Sequence, residues 1–162
     1  LFKESEVRAM GRPARGVRGM MLSKGDYIVS MAVPTDPETP ILVIAEKGLG
    51  KRTPVKEYRE TGRGAKGVIN MRTTSRTGKV VTALQLPFGP DGEPTEEVMV
   101  ITRNGQIIRT GVDEIRQAGR ATQGVTVVRL DEDDVVAAAA IIPEEPTNGE
   151  ASEEEQGTLP LQ

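Results

Sequence analysis

Short runs of β-branched and aliphatic side chains, bounded by Gly, Pro, Asp or Asn, set the pattern of this chain. They lie at residues 27–33, 41–45, 80–86, 98–102, 106–110, 125–130 and 135–142. Runs of this length and composition between turn-forming residues predict β-strands. Asn104-Gly105, between two of them, predicts a hairpin with a type I′ turn, which needs positive φ at both central residues. Lys47-Gly48 holds the equivalent place one unit earlier. Residues 137–140 are four alanines, whose propensity favours helix. They align with 30–33 and 82–85 in the other units, so a strand is expected there too. The segments at Val55 and Val112 mix polar with spaced apolar residues and predict one helical turn each.

The pattern repeats. Gly11-Arg12-Pro13-Ala14-Arg15-Gly16-Val17 recurs as Gly62-Arg63-Gly64-Ala65-Lys66-Gly67-Val68 and as Gly119-Arg120-Ala121-Thr122-Gln123-Gly124-Val125, with starts 51 and 57 residues apart. The second and third copies are preceded by matching hairpins. Val43-Ile44-Ala45-Glu46-Lys47-Gly48 aligns with Val100-Ile101-Thr102-Arg103-Asn104-Gly105, and the register continues through Arg52-Thr53 onto Arg109-Thr110. The first copy enters late: Glu4-Ser5-Glu6-Val7-Arg8 matches 55–59, and the hairpin that should precede Leu1 is missing, as in the C-terminal piece of something longer. A period of this size signals an array of similar supersecondary units, as in propellers. The units are expected at 1–40, 41–97 and 98–142. Proline-punctuated segments at 34–40 and 87–94 fall at the same point of successive units and are expected as surface connections.

Composition removes several chemistries. With no Cys and no His, the chain offers no disulfide, thiolate or imidazole. No apolar run approaches the ~20 residues of a membrane span, and no signal peptide is recognisable. Two Phe, two Tyr and no Trp leave the core to aliphatic residues. The net charge of −3 averages two unlike parts: residues 1–130 hold all 21 Lys and Arg against 14 acidic residues, whereas 131–162 hold 10 acidic residues and no cation. A basic body points to a polyanionic partner, and an acidic tail points to a competitor for the same surface. Residues 143–162, rich in Glu, Pro, Gly, Ser and Thr, are expected to be disordered.

The heptad joins glycines to cations. Its Gly and Val suit a bulge or tight corner before a strand. Arg12, Arg15 and Arg18 alternate with small residues, as do Arg63 and Lys66. Arg72, Arg76 and Lys79 follow the second copy, and Arg120 stands in the third. A glycine-bounded loop carrying guanidinium groups lets a phosphate meet both backbone N–H groups and side-chain forks. These nine residues are the candidate set for binding a phosphate polyanion. The competing reading for the arginines is that they cap carbonyls or pair with carboxylates. Asp131, Glu132, Asp133 and Asp134 suit a hard cation in composition, but they replace Lys24-Gly25-Asp26 and Arg76-Thr77-Gly78 of the other units and are expected as a solvated turn, without metal.

The three heptads, each leading into a strand, resemble the family of C-terminal domains of the DNA gyrase A protein over about residues 1–142. The resemblance implies an all-β fold: a propeller-like β-pinwheel of repeated four-stranded blades, incomplete in this fragment. Duplex DNA would wrap its basic rim. The family's heptapeptide Gln-Arg-Arg-Gly-Gly-Lys-Gly is absent, and Thr61-Gly62-Arg63-Gly64-Ala65-Lys66-Gly67 is its degenerate counterpart. The implied whole is an ATP-dependent type IIA topoisomerase of the bacterial cytoplasm. Its other components would be the gyrase B protein, a second copy of the A protein, ATP and Mg2+, with no cofactor in this fragment.

Negative supercoiling by gyrase and decatenation by topoisomerase IV are both compatible with these residues. So is a propeller that binds protein at its rim. Strand cleavage in the family uses a tyrosine beside an arginine outside this domain. Tyr58-Arg59 offers the pair in reverse order, and Tyr58 aligns with Ile115, which marks it as a core-facing side chain. Tyr27, opening a predicted strand, is expected to face the core as well. No phosphate-binding loop pattern is present.

Overall fold

The computed structural model describes residues 1–87 and 96–142. The acidic segment 143–162 and most of the connection at 87–94 lie outside the described residues. Among the described residues seven strands form two antiparallel sheets. β1 (Pro40–Ala45), β2 (Leu49–Pro54), β3 (Val80–Gln85) and β6 (Val125–Thr126) make a four-stranded sheet in the order β3-β1-β2-β6. β4 (Glu97–Thr102), β5 (Ile107–Gly111) and β7 (Val136–Ile142) make a second sheet in the order β5-β4-β7. The same plan is used twice: a hairpin whose first strand also pairs with a later strand of its own unit. The irregularity in that pairing also repeats, falling at Ile44/Ala45 and at Ile101/Thr102. β6 belongs by sequence to the third unit yet pairs with β2 of the second, through Leu49↔Thr126 and Gly50↔Val125. One strand exchange thus ties the second and third units together.

Strand patterning follows the layers. β4 alternates half-buried with buried positions, Val98, Val100 and Thr102 pointing inward. β1 is buried along its whole length because both of its faces are covered. Leu42 and Ile44 join Leu86, Val98, Val100, Val112, Ile115, Val128 and Val136 in one core. Ile41, Val43 and Ala45 join Leu49, Val55 and Met71 in another. Every buried apolar side chain is aliphatic or Met. Each fully buried Leu, Ile or Val contributes roughly 1.5–3 kcal/mol. Residues 137–140 are strand, as the repeat register predicts, because β7 pairs along β4 from Val136 to Ile142.

Turns of 3-10 helix occupy Glu4–Glu6 and Val55–Glu57, at matching positions of two units. At the third, the Ile115 N–H closes a turn on the Val112 carbonyl at 3.1 Å. Tyr58 packs against the second core, as expected.

Four expectations need correction. Residues 27–33 are not a strand, and Tyr27 does not face the core: it is 70% exposed. Its counterparts β3 and β7 pair with the hairpin of their own unit, and no such hairpin stands in the first unit. The segment instead lies beside β3, with Ser30 Oγ donating to the Ala83 carbonyl at 2.5 Å and the Val33 N–H donating to Gln85 Oε1 at 3.1 Å. The predicted strand 125–130 shortens to two residues, because the Val127 and Val128 N–H groups both turn to the Gly48 carbonyl. β2 stands in no apolar run, since Leu-Gly-Lys-Arg-Thr-Pro has none, but it completes the hairpin expected at Lys47-Gly48 from the alignment with 106–110. The hairpin at Asn104-Gly105 is not type I′. Only Gly105 has positive φ (86°), and its N–H bonds the Thr102 carbonyl, giving a turn that ends in a glycine bulge. Gly48, with φ 75°, repeats it. Among the described residues no helix is long and apolar enough to cross a membrane.

Candidate nucleic-acid interface

The sixth place of the heptad has one backbone conformation in all three copies: Gly16, Gly67 and Gly124 have φ of 79°, 89° and 78°. L residues with a side chain rarely adopt that region, which accounts for this glycine in every copy. At Gly124 space adds a second demand. A Cβ there would stand 2.3 Å from the Gly50 carbonyl oxygen, where β6 crosses β2.

The heptad arginine reaches back one unit. Arg63 Nη1 donates to the Arg18 carbonyl at 3.0 Å and its Nε to the Glu6 carbonyl at 3.3 Å. Arg120 Nη1 donates to the Ile69 carbonyl at 2.6 Å and its Nε to the Glu57 carbonyl at 2.8 Å. Glu6 and Glu57 are equivalent positions of the repeat, and so are Arg18 and Ile69. The backbone follows suit. Thr61 N–H to the Leu1 carbonyl is matched by Ala118 N–H to Arg52, and Met21 N–H to Ala65 by Arg72 N–H to Thr122. The two seams are copies of each other.

A second set of polar groups, missed by sequence reasoning, reaches forward from β2. Lys51 Nζ donates to the Gly119 and Arg120 carbonyls at 2.7 and 2.5 Å. Arg52 Nε donates to the Ile115 carbonyl at 2.5 Å, and Thr53 Oγ1 donates to the Ala118 carbonyl at 2.7 Å. Lys51 and Thr53 are fully buried and Arg52 is 7% exposed. The repeat aligns Lys51 with Ile108, so no recurrence marks the lysine.

Burial, aided by the Arg120 guanidinium and opposed by Glu57, pushes the Lys51 ammonium down from 10.5 to about 8. The sign follows directly. Between about pH 8 and 10.5 the unfolded chain holds a proton that the folded seam has released, so stability from this residue rises with pH through that window. The stability difference between the native protein and Lys51→Met, measured by urea unfolding, should shift in favour of the native protein over that range. A difference independent of pH would overturn this assignment.

Of the nine candidate cations, Arg63 and Arg120 are half-buried and spend donors on carbonyls. Arg12, Arg15, Arg18, Lys66, Arg72, Arg76 and Lys79 are exposed, and their side chains make no hydrogen bond or ion pair with any described residue. Their charges are therefore available to an outside partner. Arg12 shares the heptad place of Arg63 and Arg120, but the carbonyls those two cap belong to a preceding unit. The structure thus divides a set that looks uniform in sequence into two outfacing groups around the first two heptads and two seam residues.

The acidic turn also divides. Asp131, Glu132 and Asp133 are exposed, but Asp134 is 2% exposed, which corrects the expectation of a wholly solvated turn. Its Oδ1 accepts the Asn104 and Val135 N–H groups at 3.1 and 2.8 Å. A hydrogen bond from the Thr102 side chain, with those backbone bonds, holds this carboxyl below its ordinary range against the opposing effect of burial. Asp134 ties the β4–β5 turn to the start of β7. Among the described residues no three acidic side chains converge as a metal site.

Residues 1–35, 39–87 and 96–143 match the family described as DNA gyrase C-terminal domain, beta-propeller. The chain is 43% identical over 156 residues to the DNA gyrase A protein of Pseudomonas aeruginosa, covering 96% of this chain and 16% of that protein. It is 41% identical over 158 residues to the DNA gyrase A protein of Staphylococcus aureus, covering 97% of this chain and 17% of that one. It thus spans about a sixth of the curated relatives it matches. Among solved structures, a DNA gyrase A C-terminal domain superposes with TM-score 0.73 at 26% identity, over 88% of this chain and 46% of that one. The C-terminal domain of a DNA topoisomerase IV superposes with TM-score 0.75 at 27% identity, over 87% and 42%.

Proposed function

Because this chain belongs to the DNA gyrase C-terminal domain, beta-propeller family, we propose that it binds and wraps duplex DNA for the A protein of a type IIA topoisomerase. The observation that carries the proposal is the set of seven exposed cations, around the first two heptads, that have no partner among the described residues. Such cations bind phosphate without reading bases, and the driving force is release of condensed counterions. Residues 1–142 would form part of a larger pinwheel, in units 1–40, 41–97 and 98–142. Bending a 20–30 bp site costs ~1–6 kcal/mol, which a curved basic surface offsets with additional phosphate contacts. A fixed curvature would bias which duplex segment passes through the cleaved one.

Cleavage, ATP hydrolysis and Mg2+ would reside in other parts of a holoenzyme built with the gyrase B protein and a second copy of the A protein. The names of the relatives favour gyrase, hence negative supercoiling, over the decatenation of topoisomerase IV.

Duplex affinity of the full-length protein measured against salt tests the proposal. Log affinity should fall linearly with log salt, by about 0.9 per phosphate contacted, and equally for unrelated sequences. An affinity that hardly changes with salt would favour a protein-binding scaffold instead. In the same titration, removing the acidic residues 143–162 should tighten binding at low salt, with the difference shrinking as screening rises.

A further inference from the structure

We propose that Arg63 and Arg120 are positioning residues, which set the angle between successive units and through it the curvature of bound DNA, while phosphate contact falls to the exposed cations. The inference rests on the DNA-wrapping reading above and assigns separate roles within its cations. In each seam one guanidinium bonds two backbone carbonyls from separate segments of the preceding unit. One carbonyl ends a 3-10 turn (Glu6, Glu57), and the other immediately follows a heptad valine (Arg18, Ile69). Two donors of one rigid planar group, fixed on two acceptors, determine the orientation of the units as well as their separation. An ammonium is a point charge on a flexible stem and cannot impose that geometry.

The acceptors are backbone groups, so the contact depends on the path of the chain and not on which side chains the preceding unit carries. That explains how the same bond pair survives between units whose sequences differ at Arg18 and Ile69. The carbonyls of Gly119 and Arg120 are themselves held by Lys51 from the second unit. The second seam is therefore closed from both sides, by Arg120 reaching back and by Lys51 reaching forward. Lys66 occupies the fifth heptad place, three residues beyond Arg63, and is exposed with no partner among the described residues, whereas Gln123 fills that place in the third heptad. Position two of the second and third heptads thus faces the seam, and position five carries the variable outward charge.

The test compares charge-conserving with charge-removing variants of the full-length protein, reading salt slope and topology separately. Topology is the linking-number change per bound protein on relaxed circular DNA. In the double variant Arg63→Lys and Arg120→Lys, the slope should be retained while the linking-number change falls by about twofold or more, as curvature is lost. In the double variant Lys66→Gln and Arg76→Gln, the slope should fall by about 0.9 per contact while the change per bound protein is retained. Melting curves place every measurement well below unfolding, and Arg63→Lys alone serves if the double variant does not fold.

A direct phosphate role for the arginines predicts the reverse: lysine would substitute for them without loss of wrapping. Native wrapping by Arg63→Lys, or by the double variant where it folds, overturns the inference. Failure of the native protein to bind DNA at all would overturn the wrapping reading instead, so the two failures are distinguishable.

Discussion

Replacing Lys66, Arg72, Arg76 and Lys79 together by Gln should weaken duplex binding about a thousandfold at ~0.1 M salt and reduce the slope of log affinity against log salt by about 3.6. All four side chains are exposed and have no partner among the described residues, so their charge is not used to hold the fold. Each substitution should change stability by no more than about 0.5 kcal/mol, as surface positions usually do. Loss of binding with an unchanged melting curve would locate the effect at the interface. An unchanged slope would show that these cations meet no phosphate. Unrelated duplex sequences should suffer equally, since backbone contacts carry no sequence information.

Gly124→Ala should destabilise the fold by on the order of 3 kcal/mol or more, as judged by the urea midpoint. Two penalties combine. A residue with a side chain at φ 78° costs roughly 1–2 kcal/mol. In addition, the new methyl would stand 2.3 Å from Gly50 O and 2.8 Å from the Gly50 carbonyl carbon, and both are backbone atoms that cannot swing aside. β6 must then separate from β2, which opens the strand exchange between the second and third units. Gly105→Ala is the control. Its φ of 86° carries the same backbone strain, but nothing lies within 4 Å of the added Cβ, so about 1 kcal/mol is expected. Equal losses in the two variants would show that the β6–β2 contact does not govern the seam.

The Lys51 seam illustrates why part of the site was hidden. Leu49 to Pro54 has no apolar run, and its buried lysine and arginine read as surface charge when taken alone. They are buried because carbonyls of residues 113–120, more than 60 positions away, accept their protons. Acceptors of that kind leave no trace in side-chain identity. The same applies to Arg63 and Arg120, which resemble Arg12, Arg15 and Lys66 in sequence because all are cations near glycines. What separates them is which carbonyls lie within reach.

Sequence alone determined the strands with strong apolar runs, the aliphatic core, the three heptads and the resemblance they carry, because side-chain period and glycine placement are local properties. The 51- and 57-residue spacings even placed the alanine run of β7 in a strand against its propensity. Tertiary structure decided what depends on a partner distant in the chain. Residues 27–33 have strand-forming side chains but no hairpin to pair with, so they remain outside both sheets. β6 leaves its own unit for β2, because Gly50 and Gly124 are the pair without side chains that allows two backbones to meet. The division of the cations into seam and surface depends in the same way on distant backbone, since carbonyls of one unit lie against the guanidinium group of the next.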